Sequence, residues 1–374
     1  MSNEWIGVIQ TTAPKYLKGA TDNTIRKRLQ LAMLRKKGRI TEGHSGTEVK
    51  WQIQFDEAPV ESRGDDQQVT YARRDLYRQL TLDWREYLVT DRMTKREKEM
   101  NNGNEALIKR YDQIMPNLVK AIDNQIGLEL YVDGNATGNT NRFCGFETFC
   151  GAGTACLVTD RIQVPSDTYA GKSTALGAAG GTWSSDLAST AGVRPNAASG
   201  VDWPNGSGTP SYDYLSPKLI NWSSTAFPAG VATWAGNCEA SLRQAKIWCS
   251  ATSGVDGSPD LVVMDPALYM GFQEKQNSYK QVIIGNSMAA DLGFPGVLNF
   301  EGMAIHYEYG VPANCVYGHN LMEQEIMILG KSFYKSEGPN WDDFSNSYLF
   351  QVGVMGNMRF NPKAHFKMKN YAAS

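Results

Sequence analysis

The segment Asp260-Leu261-Val262-Val263-Met264-Asp265-Pro266 combines four consecutive apolar residues with an Asp-Pro pair. This combination predicts a buried strand that leads directly into a helix, because aspartate caps a helix and proline fits its first turn. The residues from Leu268 to Gln276 continue with helical spacing, so we expect a short amphipathic helix there.

The rest of the stretch 259–330 alternates short apolar runs with turn residues. A turn ends in Phe300-Glu301-Gly302, residues 303–307 alternate as a strand does, and Val311-Pro312 interrupts the pattern before two more short strands. A helical pattern over residues 233–250 precedes the stretch. No residue in it is placed as a catalyst would be, so the pattern favours a structural module.

Length and charge set the outer limits. The chain has 374 residues, with 37 basic and 39 acidic side chains, which allows two domains or one large domain with arms. The balanced charge does not indicate a nucleic-acid-binding protein. There is no apolar run of membrane-spanning length, and residues 1–5 lack the basic start of a signal peptide. We expect a chain made and used in a cytoplasm, or in a particle built there.

The six cysteines do not form a recognisable framework. None makes a C-x-x-C pair, and no histidine lies at zinc-ligand spacing. We expect six reduced, mostly buried thiols: Cys144, Cys150, Cys156, Cys238, Cys249 and Cys315.

The N-terminal residues 1–40 are typical of an arm with one short amphipathic helix, since Ile25, Leu29 and Ala32 or Met33 fall at helical spacing. Basic residues cluster between positions 15 and 39. Two interpretations stay open: an arm that packs on an acidic neighbour or faces packaged nucleic acid, and a solvated helix face.

Residues 41–90 predict a long β-hairpin. Val49, Trp51, Ile53 and Phe55 alternate with polar residues, and a second apolar set follows a polar turn. That second set is Val69, Tyr71, Leu80, Leu82 and Trp84. A hairpin of this length cannot bury its apolar face alone, so we expect it to lie on its own body or on the next subunit.

Residues 91–133 predict one long helix, since apolar residues recur every three or four positions from Leu107 to Ile126. Residues 101–103 delay its start, Pro116 predicts a kink, and Asp133-Gly134 ends it.

Residues 134–232 are poor in charge and rich in Gly, Ala, Ser and Thr, which predicts surface loops and short strands without a core of their own. Their glycines match no nucleotide-binding loop.

Near the C-terminus, residues 331–343 predict a loop anchored by Trp341, and residues 348–360 a strand. In the last residues, apolar side chains alternate with a basic face, for which we expect either an acidic neighbour or a solvated edge strand. That face comprises Lys363, His365, Lys367 and Lys369.

In this order, the segments resemble the HK97-type fold of tailed-bacteriophage major capsid proteins, an α+β fold. The resemblance is carried by residues 260–266 followed by Tyr269, by residues 300–305, and by Gly145-Phe146-Glu147. It implies an N-terminal arm at 1–40, an extended loop at 41–90, a peripheral domain at 91–232 and 321–374 that contains a spine helix, and an axial domain at 233–320. Residues 134–232 are an insertion in that scheme.

The resemblance further implies a structural protein of the virion. Copies of the chain would form pentamers and hexamers, and these an icosahedral head around double-stranded DNA, assembled in the host cytoplasm. Loops such as 285–287 and 293–296 would meet around a symmetry axis. The implied partners are the chain itself, packaged DNA contacted non-specifically, and portal, scaffolding and decoration proteins, with no membrane. Some members cross-link lysine to asparagine, but no pair stands out here.

An enzyme is not expected. The four histidines and the paired acids Asp65-Asp66 and Asp342-Asp343 form no catalytic motif, so we predict no catalytic, cofactor-binding or metal-binding residue and no cofactor. The four histidines are His44, His306, His319 and His365. Two rival functions remain: an encapsulin-type shell protein, and a carbohydrate-binding or adhesion protein suggested by nine Trp and the Gly/Ser-rich middle.

Overall fold

The computed structural model describes residues 28–58, 60–68, 71, 73–101, 110–151, 156, 158–181, 183–184, 207–252, 257–278 and 298–371. The chain divides into two compact units. The smaller contains Tyr87–Asn124 and Tyr334–Val354, and the larger contains Arg28–Glu86, Gln125–Phe333 and Met355–Ser374.

The described helices are α1 (Leu29–Lys36), α2 (Lys95–Met100), α3 (Arg110–Glu129), α4 (Glu147–Cys150), α5 (Trp234–Thr252) and α6 (Pro266–Ser278). The strands are β1 (Ile40–His44), β2 (Glu48–Gln54), β3 (Tyr77–Asp83), β4 (Arg85–Thr94), β5 (Ile162–Gln163), β6 (Thr168–Tyr169), β7 (Lys172–Ser173), β8 (Trp183–Ser184), β9 (Ser207–Gly208), β10 (Lys218–Asn221), β11 (Leu261–Met264), β12 (Leu298–Phe300), β13 (Met303–Tyr307), β14 (Val316–His319), β15 (Gln324–Leu329), β16 (Lys335–Asp342), β17 (Ser347–Phe360) and β18 (Phe366–Lys369). The chain is thus α+β, as predicted.

The described parts of the stretch 259–330 fold as their pattern predicts, except that residues 298–300, expected within a turn, form strand β12. Strand β11 leads into α6, and β12 and β13 form an antiparallel hairpin. The hairpin turn is Glu301-Gly302, with φ of 50° and 85°. Two consecutive positive φ angles match the right-handed twist of the flanking strands, which is the geometry of a type I′ turn. The loops at 285–287 and 293–296 lie outside the described residues.

The larger unit is organised around a seven-stranded sheet, in the order β12-β13-β11-β14-β18-β10-β5. Helices α5 and α6 pack on one face through Leu242 and Phe272, against Val262, Ile305 and Phe366 of the strands. The other face is covered by aromatic residues, and Phe146 lies with its ring centroid 5.9 Å from that of Tyr317. With both faces buried, β10, β11 and β14 contain buried residues only.

This sheet corrects two expectations. Residues 134–232 are not only surface loops, because β5 and β10 pair within the sheet and Leu219 and Ile220 are fully buried. The C-terminal basic segment is not a solvated edge strand, because β18 lies between β14 and β10 and Lys367 is 2% exposed. The sheet therefore combines strands of residues 233–320 with strands from outside that range.

The hairpin is confirmed over β2 and β3, which pair antiparallel with Trp51 opposite Leu80. Its paired part lies on its own unit: the Trp51 ring is 6.2 Å from that of Tyr169, and the Phe55 ring is 5.9 Å from that of Tyr214. Val69 lies outside the described residues. The apolar face is therefore covered, in this part, by the chain's own body.

The helix expected over residues 91–133 is shorter and begins later. Strand β4 continues to Thr94, which caps α2: the Glu97 amide donates to Thr94 Oγ1 at 3.2 Å. Helix α2 ends at Met100, next to the expected break. Residues 102–109 lie outside the described ones. Helix α3 then runs through Pro116 and ends at Glu129 rather than at 133.

At the N-terminus, the expected short helix is α1, with Leu29 and Met33 buried. Position 25 and the basic residues from 15 to 27 lie outside the described residues.

The loop expected over residues 331–343 is wrong for residues 335–342, which form a strand. Strand β16 pairs with the first half of β17, and Trp341 stands opposite Tyr348. The strand expected over 348–360 is β17, whose second half pairs with β15 in the larger unit. All six cysteines are free, and all but the half-buried Cys156 are buried, as predicted.

Candidate functional site

The four histidines make structural contacts and do not form a reactive cluster. His319 and His365 are fully buried. Burial lowers the pKa of His365 to about 3, and burial together with the neighbouring His365 lowers the pKa of His319 well below its usual value. His306 stacks on Tyr307 with ring centroids 4.7 Å apart. Thr41 Oγ1 is 2.9 Å from His44 Nε2. The neutral, buried imidazoles of His319 and His365 therefore act as packing groups.

The paired acids occupy turns. Asp65 and Asp66 are exposed at the end of the hairpin. Asp342 accepts hydrogen bonds from the Ser345 hydroxyl at 2.5 Å and from the Phe344 amide at 3.1 Å, and these bonds lower its pKa. Its carboxylate therefore organises the β16–β17 turn.

The buried charges are paired with each other. Lys367 Nζ is 2.6 Å from Glu147 Oε2 and donates to the Gly151 carbonyl at 2.8 Å. The Tyr317 hydroxyl donates to the same carboxylate. Burial alone would lower the pKa of Lys367, but the adjacent Glu147 outweighs it and the pKa is raised.

A second buried pair is extended by a third charge. Asp213 lies 2.9 Å from Lys218 Nζ and 2.8 Å from Lys363 Nζ. Burial would raise the pKa of Asp213, but the two ammonium groups lower it. Sequence reasoning missed both clusters and placed Lys363 and Lys367 at the surface.

No metal site or membrane span is found among the described residues. No group of three or more His, Cys, Asp or Glu in them could hold a metal ion, and none of their helices is long and apolar enough to cross a bilayer. The prediction of no catalytic, cofactor or metal residue stays a prediction.

The hairpin end, defined as residues 56–76, is the first surface with exposed apolar residues among the part of the chain that the structure describes. Val60 is 98% exposed and Tyr71 is 92% exposed. Nearly all of its described residues are exposed. An isolated apolar residue at a surface is ordinary, but two on one exposed loop are suited to contact with another molecule.

The β16–β17 turn is the second such surface and belongs to the smaller unit. Phe344 at its end is fully exposed, and Trp341 is 43% exposed. The Trp341 indole donates to Asp343 at 2.5 Å and lies 4.9 Å from the Tyr348 ring. The turn is thus held by its own hydrogen bonds while it presents an aromatic ring to solvent.

The larger unit has exposed apolar residues on the outer sides of its two long helices. Ile247 of α5 and Met270 of α6 are more than half exposed. These three surfaces share one property, which is that they present apolar side chains to solvent.

No family model matches the sequence, and no curated protein is similar to it. Solved structures do match it along nearly its whole length. The capsid subunit of cyanophage A-1(L) aligns with a TM-score of 0.61 at 10% identity and covers 97% of this chain and 98% of that one. The capsid of Myoviridae phage XM1 aligns with a TM-score of 0.53 at 10% identity, covering 95% and 96%. The SrpI encapsulin of Synechococcus elongatus aligns with a TM-score of 0.50 at 8% identity, covering 98% and 94%.

These similarities establish the class of fold, which is that of a protein shell subunit. More particularly, it is the fold of tailed-phage capsid proteins, which the encapsulin shares.

Proposed function

We propose that this chain is the major capsid protein of a tailed bacteriophage. Its copies assemble into pentamers and hexamers that form an icosahedral head around double-stranded DNA. The observation that supports this most is the match to phage capsid structures over 95% or more of both chains. The role is structural, since the solved structures it resembles are shell components.

The finer correspondences are part of the proposal. The hairpin within 41–90 is the extended loop, α3 is the spine helix, and residues 233–320 form the axial domain, with 91–232 and 321–374 as the peripheral domain. The sheet order supports one change to these ranges. Strands β10 and β18 lie within the ranges given to the peripheral domain, but they belong to the same sheet as β14 of the axial domain. We place these two strands in the base of the axial domain.

The exposed surfaces support self-assembly. The hairpin end would lie on a neighbouring subunit, and the Phe344 turn would contact a neighbour as well. Each surface exposes apolar side chains that would become buried on association. An obligate interface buries roughly 2,000–5,000 Å² of surface in total. Helix α1 of the arm packs on the subunit through Leu29, Met33 and Leu34, while Arg35 and Lys36 at its end are exposed.

A shell that encloses protein cargo is the second candidate, favoured by the encapsulin match. Electron microscopy of the expressed chain, followed by analysis of the contents of native particles, tests both proposals. We expect icosahedral particles or capsomer rings, with nuclease-protected DNA in native particles. Protected protein cargo without DNA would favour the encapsulin-type shell, and a stable monomer would contradict both.

A further inference from the structure

The first half of the hairpin end carries a concentrated negative charge. Residues 56–66 contain five acidic side chains and one basic side chain, which gives a formal charge of −4. The acids are Asp56, Glu57, Glu61, Asp65 and Asp66. The last four are exposed, and none of the five forms an ion pair within the part of the chain that the structure describes. Because like charges at this density repel each other, the segment is suited to a partner that supplies cations.

Apolar side chains accompany this charge. Val60 lies between Glu57 and Glu61 in the sequence and is 98% exposed. Tyr71, on the returning side of the hairpin end, is 92% exposed. A partner for this segment therefore combines cations with apolar surface, because charge sets the selectivity of a contact and burial of apolar groups stabilises it.

The end of α1 carries the opposite charge. The sequence has no acidic side chain between positions 23 and 41, and four of the five residues at 35–39 are basic. Two of the four are held inside the unit. Lys37 Nζ lies 2.8 Å from Asp260 Oδ2, and Arg39 Nη2 lies 3.9 Å from Glu325 Oε2.

The other two basic residues, Arg35 and Lys36, are exposed. Arg35 Cζ lies 5.3 Å from the centroid of the Phe333 ring. Lys331, two residues before Phe333, is exposed as well. We call Arg35, Lys36 and Lys331 the α1-end surface. It presents three cations, with an aromatic ring beneath one of them, and so matches the acids and the apolar side chains of the hairpin end.

We propose that the hairpin end of one copy docks on the α1-end surface of the next copy. The inference rests on the proposed function and names the surface that receives the hairpin end. No ion pair joins the two surfaces within one chain, so the carboxylates of the hairpin end have no cation from their own copy. Because the two surfaces differ, the contact is heterologous, and a heterologous contact builds rings when its rotation closes. One repeated contact thus accounts for capsomer rings.

Reversal of the charge on each surface tests the contact. The hairpin variant carries Glu57→Lys, Glu61→Lys and Asp65→Lys, and the α1-end variant carries Lys36→Glu and Lys331→Glu. Each variant alone sets like charges against each other, so we expect assembly at low salt, followed by light scattering, to slow by about 10-fold or more. All five side chains are exposed, so the urea midpoint of each variant should equal that of the wild type.

A mixture of the two variants provides the sharpest readout. In an equimolar mixture the copies can alternate, so that every hairpin end meets an α1-end surface of opposite charge. We expect electron microscopy to show six-membered rings in the mixture. Five-membered rings should be missing, because a ring with an odd number of copies cannot alternate. A chain that carries all five substitutions should form both kinds of ring again.

The matched control reverses three exposed acids elsewhere, with Glu99→Lys, Asp112→Lys and Glu274→Lys, and should assemble as the wild type does. Normal assembly of the hairpin and α1-end variants would overturn the docking, and so would a control as slow as they are or a mixture without rings. In these cases the shell function stands, because the wild type still assembles. A wild-type chain that stays monomeric would overturn the docking together with the proposed function.

Discussion

Lys367 and Glu147 are 220 residues apart in the sequence and form an ion pair with 2.6 Å between Nζ and Oε2, in which the lysine side chain is 2% exposed and the glutamate side chain 15%. The pair connects β18, a strand inside the main sheet, to the short helix α4 beneath it. We expect Lys367→Met to destabilise the chain by about 3–5 kcal/mol, because it leaves the Glu147 carboxylate without its cation. Urea unfolding of purified protein measures the loss.

The control for this prediction is a pair of similar geometry at the surface. Arg243 Nε is 2.6 Å from Glu301 Oε1, and the arginine side chain is 54% exposed. Arg243→Met should cost no more than about 1 kcal/mol, since an exposed pair is screened by water. Equal decreases in the free energy of unfolding for the two variants would show that the Lys367–Glu147 pair contributes no more to stability than an exposed pair.

Close packing within the sheet predicts a different kind of loss. A Cβ at Gly318 of β14 would lie 1.9 Å from Phe366 Cε1 of β18, so Gly318→Ala forces the ring to move. We expect a loss of about 1–3 kcal/mol from overpacking. Gly64 has no atom within 4 Å of its added Cβ, so Gly64→Ala should change the free energy of unfolding by less than about 0.5 kcal/mol. A Gly318→Ala variant as stable as the wild type would contradict the sheet order.

The buried histidines predict a loss of stability in acid. The pKa values of His319 and His365 are lowered by burial, so the unfolded chain binds their protons first and stability falls as the pH drops below about 6.5. Each histidine contributes a slope of about 1.4 kcal/mol per pH unit. Burial raises the pKa of Glu308 to about 7, so protonation of this carboxyl stabilises the folded chain as the pH falls from 7 to 4.5. Because two histidines oppose this one carboxyl, the net free energy of unfolding decreases as the pH falls.

Urea unfolding at several pH values between 5 and 7.5 measures this slope. His365→Gln removes one of the two titrating imidazoles and should roughly cancel the net dependence between pH 5 and 6.5. Stability that is independent of pH in the wild type, or unchanged dependence in H365Q, would contradict the burial of these rings.

The Phe344 turn predicts an effect on assembly without an effect on folding. Because its side chain is fully exposed, Phe344→Ser should leave the unfolding curve unchanged within about 0.5 kcal/mol while it weakens association between chains. Phe344→Tyr keeps the ring and serves as the control. Light scattering during assembly distinguishes the two, and normal assembly of F344S would remove this turn from the contact surface.

The sequence predicted elements whose signals are local. The Leu261–Met264 run and the Glu301-Gly302 turn each specify their conformation within a few residues, and both fold as expected. The helix predicted over 91–133 begins too early, because β4 continues to Thr94. The charged residues of α2 that follow have good helix propensity, so the sequence carries no local signal for the end of the strand.

Local sequence patterns do not predict the acidic partners of the buried lysines. The alternation of Lys367 with Phe366 and Met368 is the same for an edge strand and for a strand covered on both faces. Only the pairing of β18 with β10 and β14, strands distant in sequence, buries the lysine. Their order in the sheet depends on long-range contacts that no local pattern contains.

The central claim, that this chain is a shell subunit, is tested most directly by cryo-electron microscopy of the purified, expressed chain. We expect closed icosahedral particles or pentameric and hexameric rings, in which residues 56–76 of one copy lie on a neighbouring copy. A homogeneous monomer at high concentration, with Val60, Tyr71 and Phe344 all facing solvent, would contradict the account.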